Sequence, residues 1–280
     1  MKKSFKKLLL LGLTTLSAVT LVACGAQTEK AADKEKPQEK KNLVIGATSG
    51  PYADMVKKAI KPGLEKKGYT VEVKEFTDYV QPNNALAAGE LDANLFQHII
   101  YMKNFAQKNN LQLSDLIQVP TAPMGIYSSK YKSLSELPEK AELSLPGDAT
   151  NAARAYNILS QQGLLKLNAD VDVLKISQKD IAENPKNLVF NEIEAAGLPR
   201  AIESSDISAV PGNFALASGL DLTTALVLEK MDDNYRNRVV VNTKDKDAQF
   251  AKDIIDVVKS DDFNKVIDEQ FKGFDKPSYK

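Results

Sequence analysis

From residue 43 onward, blocks with strand spacing alternate with blocks with helix spacing. LVIGAT (43–48) is a short apolar run of the buried-strand kind. YADMVKKAIKPGLEKKG (52–68) lays its apolar residues along one helical face and stops at Gly68. Pro62 lies inside that helix and predicts a kink. TVEVKEF (70–76) alternates with period two, PNNALAAGE (82–90) predicts a short helix, and LDANLF (91–96) another strand. HIIYMKNFAQKNN (98–110) reads as a helix, and LIQVPTAPMGIYSS (116–129) as an extended passage broken by prolines. ELSLP (142–146) predicts a strand, and TNAARAYNILSQQGLL (150–165) a helix closed by its glycine.

Further strands are predicted at VDVLKIS (171–177), NLVFNEI (187–193), DISAVPG (206–212), TALVLEK (224–230) and RVVVNTK (238–244). Short helices are predicted at DIAENP (180–185), GLPRAIESS (197–205) and NFALASG (213–219), and two helices close the chain at 248–260 and 263–274. Alternation of this kind argues an α/β fold with mostly parallel sheets covered on both faces. Such sheets bind ligands beyond the C-terminal ends of their strands. The residues found there are TSGPY, TDYVQPN, FQH, PGDATNAAR, PGN and NTK, many of them polar or aromatic.

The first 42 residues follow other rules. Lys2, Lys3, Lys6 and Lys7 precede an apolar run, LLLLGLTTLSAVTLVA, that ends at Cys24. This is the layout of a secretory signal peptide over 1–23, and its apolar run is short of the roughly 20 residues of a spanning helix. LVAC followed by Gly25 resembles the lipobox of bacterial lipoproteins, in which the cysteine becomes the lipidated first residue. A lone cysteine cannot form an intrachain disulfide, so the exported fold must be held by its core. Residues 24–42 are then the lipidated cysteine and a Lys-, Glu- and Gln-rich disordered linker, with a reach on the order of 25 Å. The 238 residues from Leu43 suffice for one large or two modest domains.

Composition narrows the chemistry. The signal stretch holds four of the 37 basic residues and no acids, so the rest of the chain carries 33 basic against 37 acidic groups. The basic residues are scattered, which gives no support to a nucleic-acid surface. There is no G-x-x-x-x-G-K-[ST] loop and no G-x-S-x-G elbow. One histidine and no further cysteine provide no ordinary zinc set. The expectation is a protein that is not an enzyme and needs no cofactor or metal.

Arginine occurs at four positions, Arg154, Arg200, Arg236 and Arg238. Arg154 lies near a predicted helix start, where free N–H groups and the dipole favour anions and its planar fork suits a carboxylate. A salt bridge to a nearby acid, or a plain helix-surface charge, fits the spacing equally well. Asp148, Thr150 and Asn151 can each cap that helix, and at least one is expected to. Tyr79 follows a strand and can face a ligand or the core. Asn213 and Asn237 can offer amide contacts or serve only as turn residues.

FTDYVQPNNALAAGELDANLFQHIIYMKNF, the TNAARA helix start, DIAENPKNL and the PGNFAL turn resemble, in colinear order from about 43 to 275, the bacterial methionine-binding lipoprotein (NlpA-type) family. The resemblance implies a two-lobed, periplasmic-binding-protein-like fold with the ligand cleft between α/β lobes. Lobe 1 would take 43–124 plus 240–280, and lobe 2 would take 125–239. It implies a lipid-anchored protein on the outer side of the cell membrane that captures L-methionine for an ABC importer, whose permease and ATPase are separate chains. By the same resemblance Arg154 pairs with the ligand carboxylate, with Asn151 beside it. Asn213 and Asn237 hold the amino-acid backbone, and Tyr79, Phe96, His98 and Tyr101 wall the side chain. Where many relatives read roughly TPVPHAE after the first strand, this chain has TSGPYADM, which leaves room for a methionine-containing dipeptide or another amino acid. An enzyme on the same fold, or a surface adhesin or sensor, is the reading from another class.

Overall fold

Period-two and apolar runs become strands, and amphipathic runs become the helices that cover them, in a computed structural model that describes residues 40–279. The expected signal peptide, Cys24 and nearly all of the linker lie outside the described residues. In chain order the elements begin with β1 (Asn42–Thr48), α1 (Pro51–Met55), α2 (Lys61–Lys66), β2 (Thr70–Phe76) and α3 (Gln81–Ala87). There follow β3 (Ala93–His98), α4 (Ile99–Asn109), β4 (Leu113–Gln118), β5 (Gly125–Tyr127), β6 (Glu142–Pro146) and α5 (Ala149–Gln161). Next come β7 (Lys166–Leu167), β8 (Ile181–Glu183), β9 (Val189–Ile193), α6 (Leu198–Ser204), β10 (Ile207–Val210) and α7 (Gly212–Ala217). The chain continues through β11 (Val227–Leu228), β12 (Asn237–Asn242), α8 (Gln249–Val258) and α9 (Asp261–Gln270).

The larger strands form two sheets of five, ordered β2-β1-β3-β12-β4 and β11-β5-β10-β6-β9. One apolar cluster packs on the first sheet and reaches Tyr127 and Val210 of the second, and another packs on the second sheet. Leu43, Ile45, Leu95, Val239, Val241, Ile254 and Val258 are fully buried around the first, and Met124, Ile126, Leu143, Leu145, Tyr156 and Ile207 around the second. The chain passes between the sheets twice, along 119–124 and 229–236. Asp275 joins both passages: its backbone exchanges two 2.9 Å bonds with Thr121, and its carboxylate accepts from Arg236 Nε at 2.5 Å.

Neither sheet is mostly parallel. In the first, β1 runs parallel to β2 and β3, while β12 is antiparallel to both β3 and β4. In the second, β6 runs parallel to β9 and β10, while β5 is antiparallel to β10 and β11. Period and burial record whether a strand is covered on one face or two, not its direction, and β12 returns from the other sheet. It enters at Asn237, ahead of the expected crossover at 240.

Three local expectations also change. The kink at Pro62 is taken up by a π-helical stretch, Val56–Ile60, that joins α1 to α2. A proline lacks the N–H and crowds the carbonyl four residues back, and a wider turn relieves both. VDVLKIS forms no strand, because Asp172 accepts from the Leu174 N–H and Ser177 forms a capping box with Asp180. DIAENP supplies strand β8 rather than a helix, paired antiparallel with β7. Three residues are too few for either period to register.

A buried cavity built from strand ends and one helix start

β3 delivers its last residues, Phe96, Gln97 and His98, to the wall of a narrow cavity. His98 ends the strand and caps the next helix, its Nδ1 accepting from the Tyr101 N–H at 3.2 Å. That geometry brings Tyr101 one turn along into the same wall. The Tyr101 hydroxyl donates to the Tyr79 carbonyl at 3.0 Å, and the Tyr79 ring lies 5.8 Å from both Phe96 and Tyr101. Phe214 completes the aromatic group at 5.0 Å from Tyr79.

The opposite wall is the start of α5. Asp148 is its cap, accepting from the Asn151 N–H at 2.9 Å and from the Thr150 hydroxyl at 2.8 Å. Thr150 is therefore not aimed at the cavity. The Asn151 side-chain amide also donates to Asp148, which turns Asn151 Oδ1 outward. That oxygen receives Arg154 Nη1 at 2.9 Å and sits 3.3 Å from His98 Nε2. Since His98 Nδ1 is an acceptor, its proton rests on Nε2 and donates to Asn151. One hydrogen bond thus joins the end of a first-sheet strand to a second-sheet helix.

Burial and the positive charge of Arg154 press the His98 pKa down to about 3, against the bond to Asn151. The imidazole is neutral throughout the physiological range. Burial also works against the Arg154 charge, but Glu229 outweighs it and holds the guanidinium above its ordinary value. Glu229 Oε1 accepts from Nε at 2.9 Å and Oε2 from Nη2 at 2.5 Å. Both side chains are about 5% exposed. Of the readings that Arg154 left open, the structure shows the salt bridge, and it also places Arg154 in the cavity wall. A guanidinium has five N–H protons. Three are engaged here, which leaves one each on Nη1 and Nη2.

Asn213 Oδ1 accepts from the Tyr79 hydroxyl at 2.6 Å, while its Nδ2 is buried without a partner. An orphaned buried donor is costly unless something comes to meet it. Asn237 donates through Nδ2 to the Phe96 carbonyl at 3.0 Å. Its backbone N–H donates to Thr121 Oγ1 at 2.8 Å. Tyr79, Phe96, His98, Tyr101, Asn151, Arg154, Asn213 and Asn237 all line the one cavity.

The strand ends read from the sequence also hold lining residues that were given no individual role there. Tyr52, from the variant TSGPY loop, is buried and accepts from the Ala122 N–H at 3.3 Å. Gln97 sits between two residues that were singled out, so its neighbours were a usable signal. Its amide interlocks with Asn83 and Asn94 at 2.6–3.0 Å behind the wall. Gly212 is required by close approach: a Cβ there would stand 2.4 Å from the Pro123 carbonyl oxygen. Glu229 gave no signal, being one acid among many after a two-residue strand. Among the described residues, no group of three or more His, Cys, Asp or Glu is placed to hold a metal ion. No described helix is long and apolar enough to cross a membrane.

The chain matches the family model for NlpA lipoprotein over residues 43–279. It is 35% identical over 268 residues to the probable D-methionine-binding lipoprotein MetQ of Pasteurella multocida, covering 94% of this chain and 96% of that one. It is 33% identical over 273 residues to the methionine-binding lipoprotein MetQ of Bacillus subtilis, covering 96% and 97%. Among solved structures, a nutrient binding protein from Burkholderia cenocepacia bound to methionine superposes with a TM-score of 0.78 at 38% identity. That match covers 82% of this chain and 97% of the other.

Proposed function

The chain belongs to the NlpA lipoprotein family, and from that membership we propose that it is a lipid-anchored solute-binding protein that encloses L-methionine and passes it to an ABC importer. The observation that carries the reading is Arg154, buried, fixed by Glu229 and Asn151, and lining the cavity with two unengaged protons. A ligand carboxylate on those protons takes a charge-assisted pair of bonds. Asn213 Nδ2 supplies a further donor, and Asn237 lies across the cavity for the amino-acid backbone. The thioether sits among Tyr79, Phe96 and Tyr101, where each sulfur–aromatic contact contributes about 0.3–1.5 kcal/mol.

In this reading the two sheets mark two lobes, with the return to the first at Asn237, that close on the ligand about the passages at 119–124 and 229–236. The His98–Asn151 bond is one of the contacts made on closing. In this reading methionine is bound and released unchanged, and His98 serves as a neutral wall whose partners are an amide and a backbone N–H. The permease and its ATPase are separate chains, and the permease receives the ligand outside the cytoplasm.

Mass spectrometry of protein purified without denaturation tests the ligand. L-Methionine should be released in near-stoichiometric amount. Recovery of a methionine-containing dipeptide, or of another amino acid, would replace the ligand and keep the class. The anchor rests on Cys24, and changing Cys24→Ala should move the protein from the membrane fraction to the soluble one with ligand binding unaltered. Retention in the membrane fraction would refute that attachment.

A further inference from the structure

Glu229 follows β11, on the passage that leads back to the first sheet, and it does not line the cavity. Its two carboxylate oxygens grip the far edge of Arg154, Nε and Nη2. Oε2 also accepts from the Met124 N–H at 3.1 Å, while the Glu229 N–H donates to the Met124 carbonyl at 2.8 Å. Met124 ends the other passage between the sheets. The carboxylate is therefore fixed by backbone as well as by its partner, and it stands behind the guanidinium as seen from the cavity.

Consider the field such a pair presents. A bare buried guanidinium would attract any anion and repel any ammonium, strongly so at low effective dielectric. With Glu229 behind it, Arg154 still offers two N–H donors but little net charge. Asp148 is engaged at the N-terminus of α5, Arg238 is paired with Asp115 at 2.6 Å, and His98 is neutral. The cavity therefore combines donors for a carboxylate with no net penalty for a positive group beside it.

We propose that Glu229 sets the charge class of the ligand: by cancelling Arg154 from behind, it matches the cavity to zwitterions and turns away ligands of net negative charge. This rests on the reading of the cavity as an amino-acid site. It makes Glu229 a specificity-determining residue that acts through Arg154. Discrimination of this kind works as much against the wrong ligand as for the right one.

The test compares the affinities of L-methionine and its des-amino analogue, which keeps thioether and carboxylate and lacks the ammonium. The wild-type chain should prefer methionine. In Glu229→Gln methionine should bind at least about tenfold more weakly while the analogue holds or gains, shifting the preference about tenfold or more toward the anion. A merely structural role would weaken both ligands together and leave the ratio unchanged, which would overturn the inference. If Glu229→Gln does not fold, Glu229→Ala titrated with formate provides the same measurement. Formate filling the vacated place should restore the preference for methionine, and a ratio indifferent to formate would overturn the inference. Failure of the wild-type chain to bind methionine would instead overturn the reading on which the inference rests.

Discussion

Replacing Arg154 with alanine should weaken methionine binding by a factor of at least about a hundred and lower the melting temperature as well. Both effects have one cause. Arg154 is buried between Glu229 on one side and Asn151 on another, with its remaining protons unengaged and, in the proposed function, met by the ligand carboxylate. Removing one partner of a buried pair costs about 3–5 kcal/mol, because the other charge is left without compensation. In the variant that cost falls on Glu229 in the free protein and on the ligand carboxylate in the complex. Arg154→Lys separates the two contributions. A lysine keeps the charge as a point donor and cannot hold Glu229 and a ligand carboxylate in planar forks together. It should restore much of the stability and little of the affinity. Calorimetry and thermal melting together check this, and an unchanged affinity in Arg154→Ala would remove Arg154 from the ligand.

Acidification should loosen binding next most strongly, by about a hundredfold between pH 7 and pH 4.5. In this structure, which the proposed reading takes as the closed form, the His98 pKa lies at about 3. When the lobes part and water reaches the ring, it should return to the ordinary value of about 6.5. Above that value neither form holds the proton, and affinity is level. As pH falls through 6.5 the open form takes up a proton that the closed form refuses, so opening is favoured. The slope approaches one factor of ten per pH unit and flattens near 3, where the closed form also protonates. Two units amount to about 2.7 kcal/mol at pH 4.5. The unfolded chain gains by the same linkage, so stability should fall over the same window. His98→Asn, which does not titrate in this range, should flatten the affinity profile. A wild-type affinity that is constant from pH 7 to 4.5 would separate His98 from closing.

How much of this was legible in the chain depends on the range over which each signal acts. The cavity walls come from strand ends and one helix start, and both are local. LDANLF followed by a helix places Phe96, His98 and Tyr101 within one turn of each other. PGDATNAAR carries its own cap, Asp148, and that cap fixes which way Asn151 faces. The pairing of Arg154 with Glu229 spans 75 positions and has no local trace. The antiparallel half of each sheet was equally hidden, since burial pattern does not record direction. The region 171–183 failed for the opposite reason: side chains of Asp172, Ser177 and Asp180 compete with the backbone for its own hydrogen bonds and override the apolar spacing. Tyr52 lies in TSGPY, among the strand ends to which the α/β pattern points, but the resemblance gave it no role because the loop departs from its relatives there; it lines the cavity.

A calorimetric titration of the ligand-stripped chain with L-methionine tests the central claim most directly. One methionine per chain should bind at neutral pH, with a negative heat-capacity change from burial of apolar surface between the lobes. No saturable binding of methionine, with the protein shown to be folded, would contradict the account.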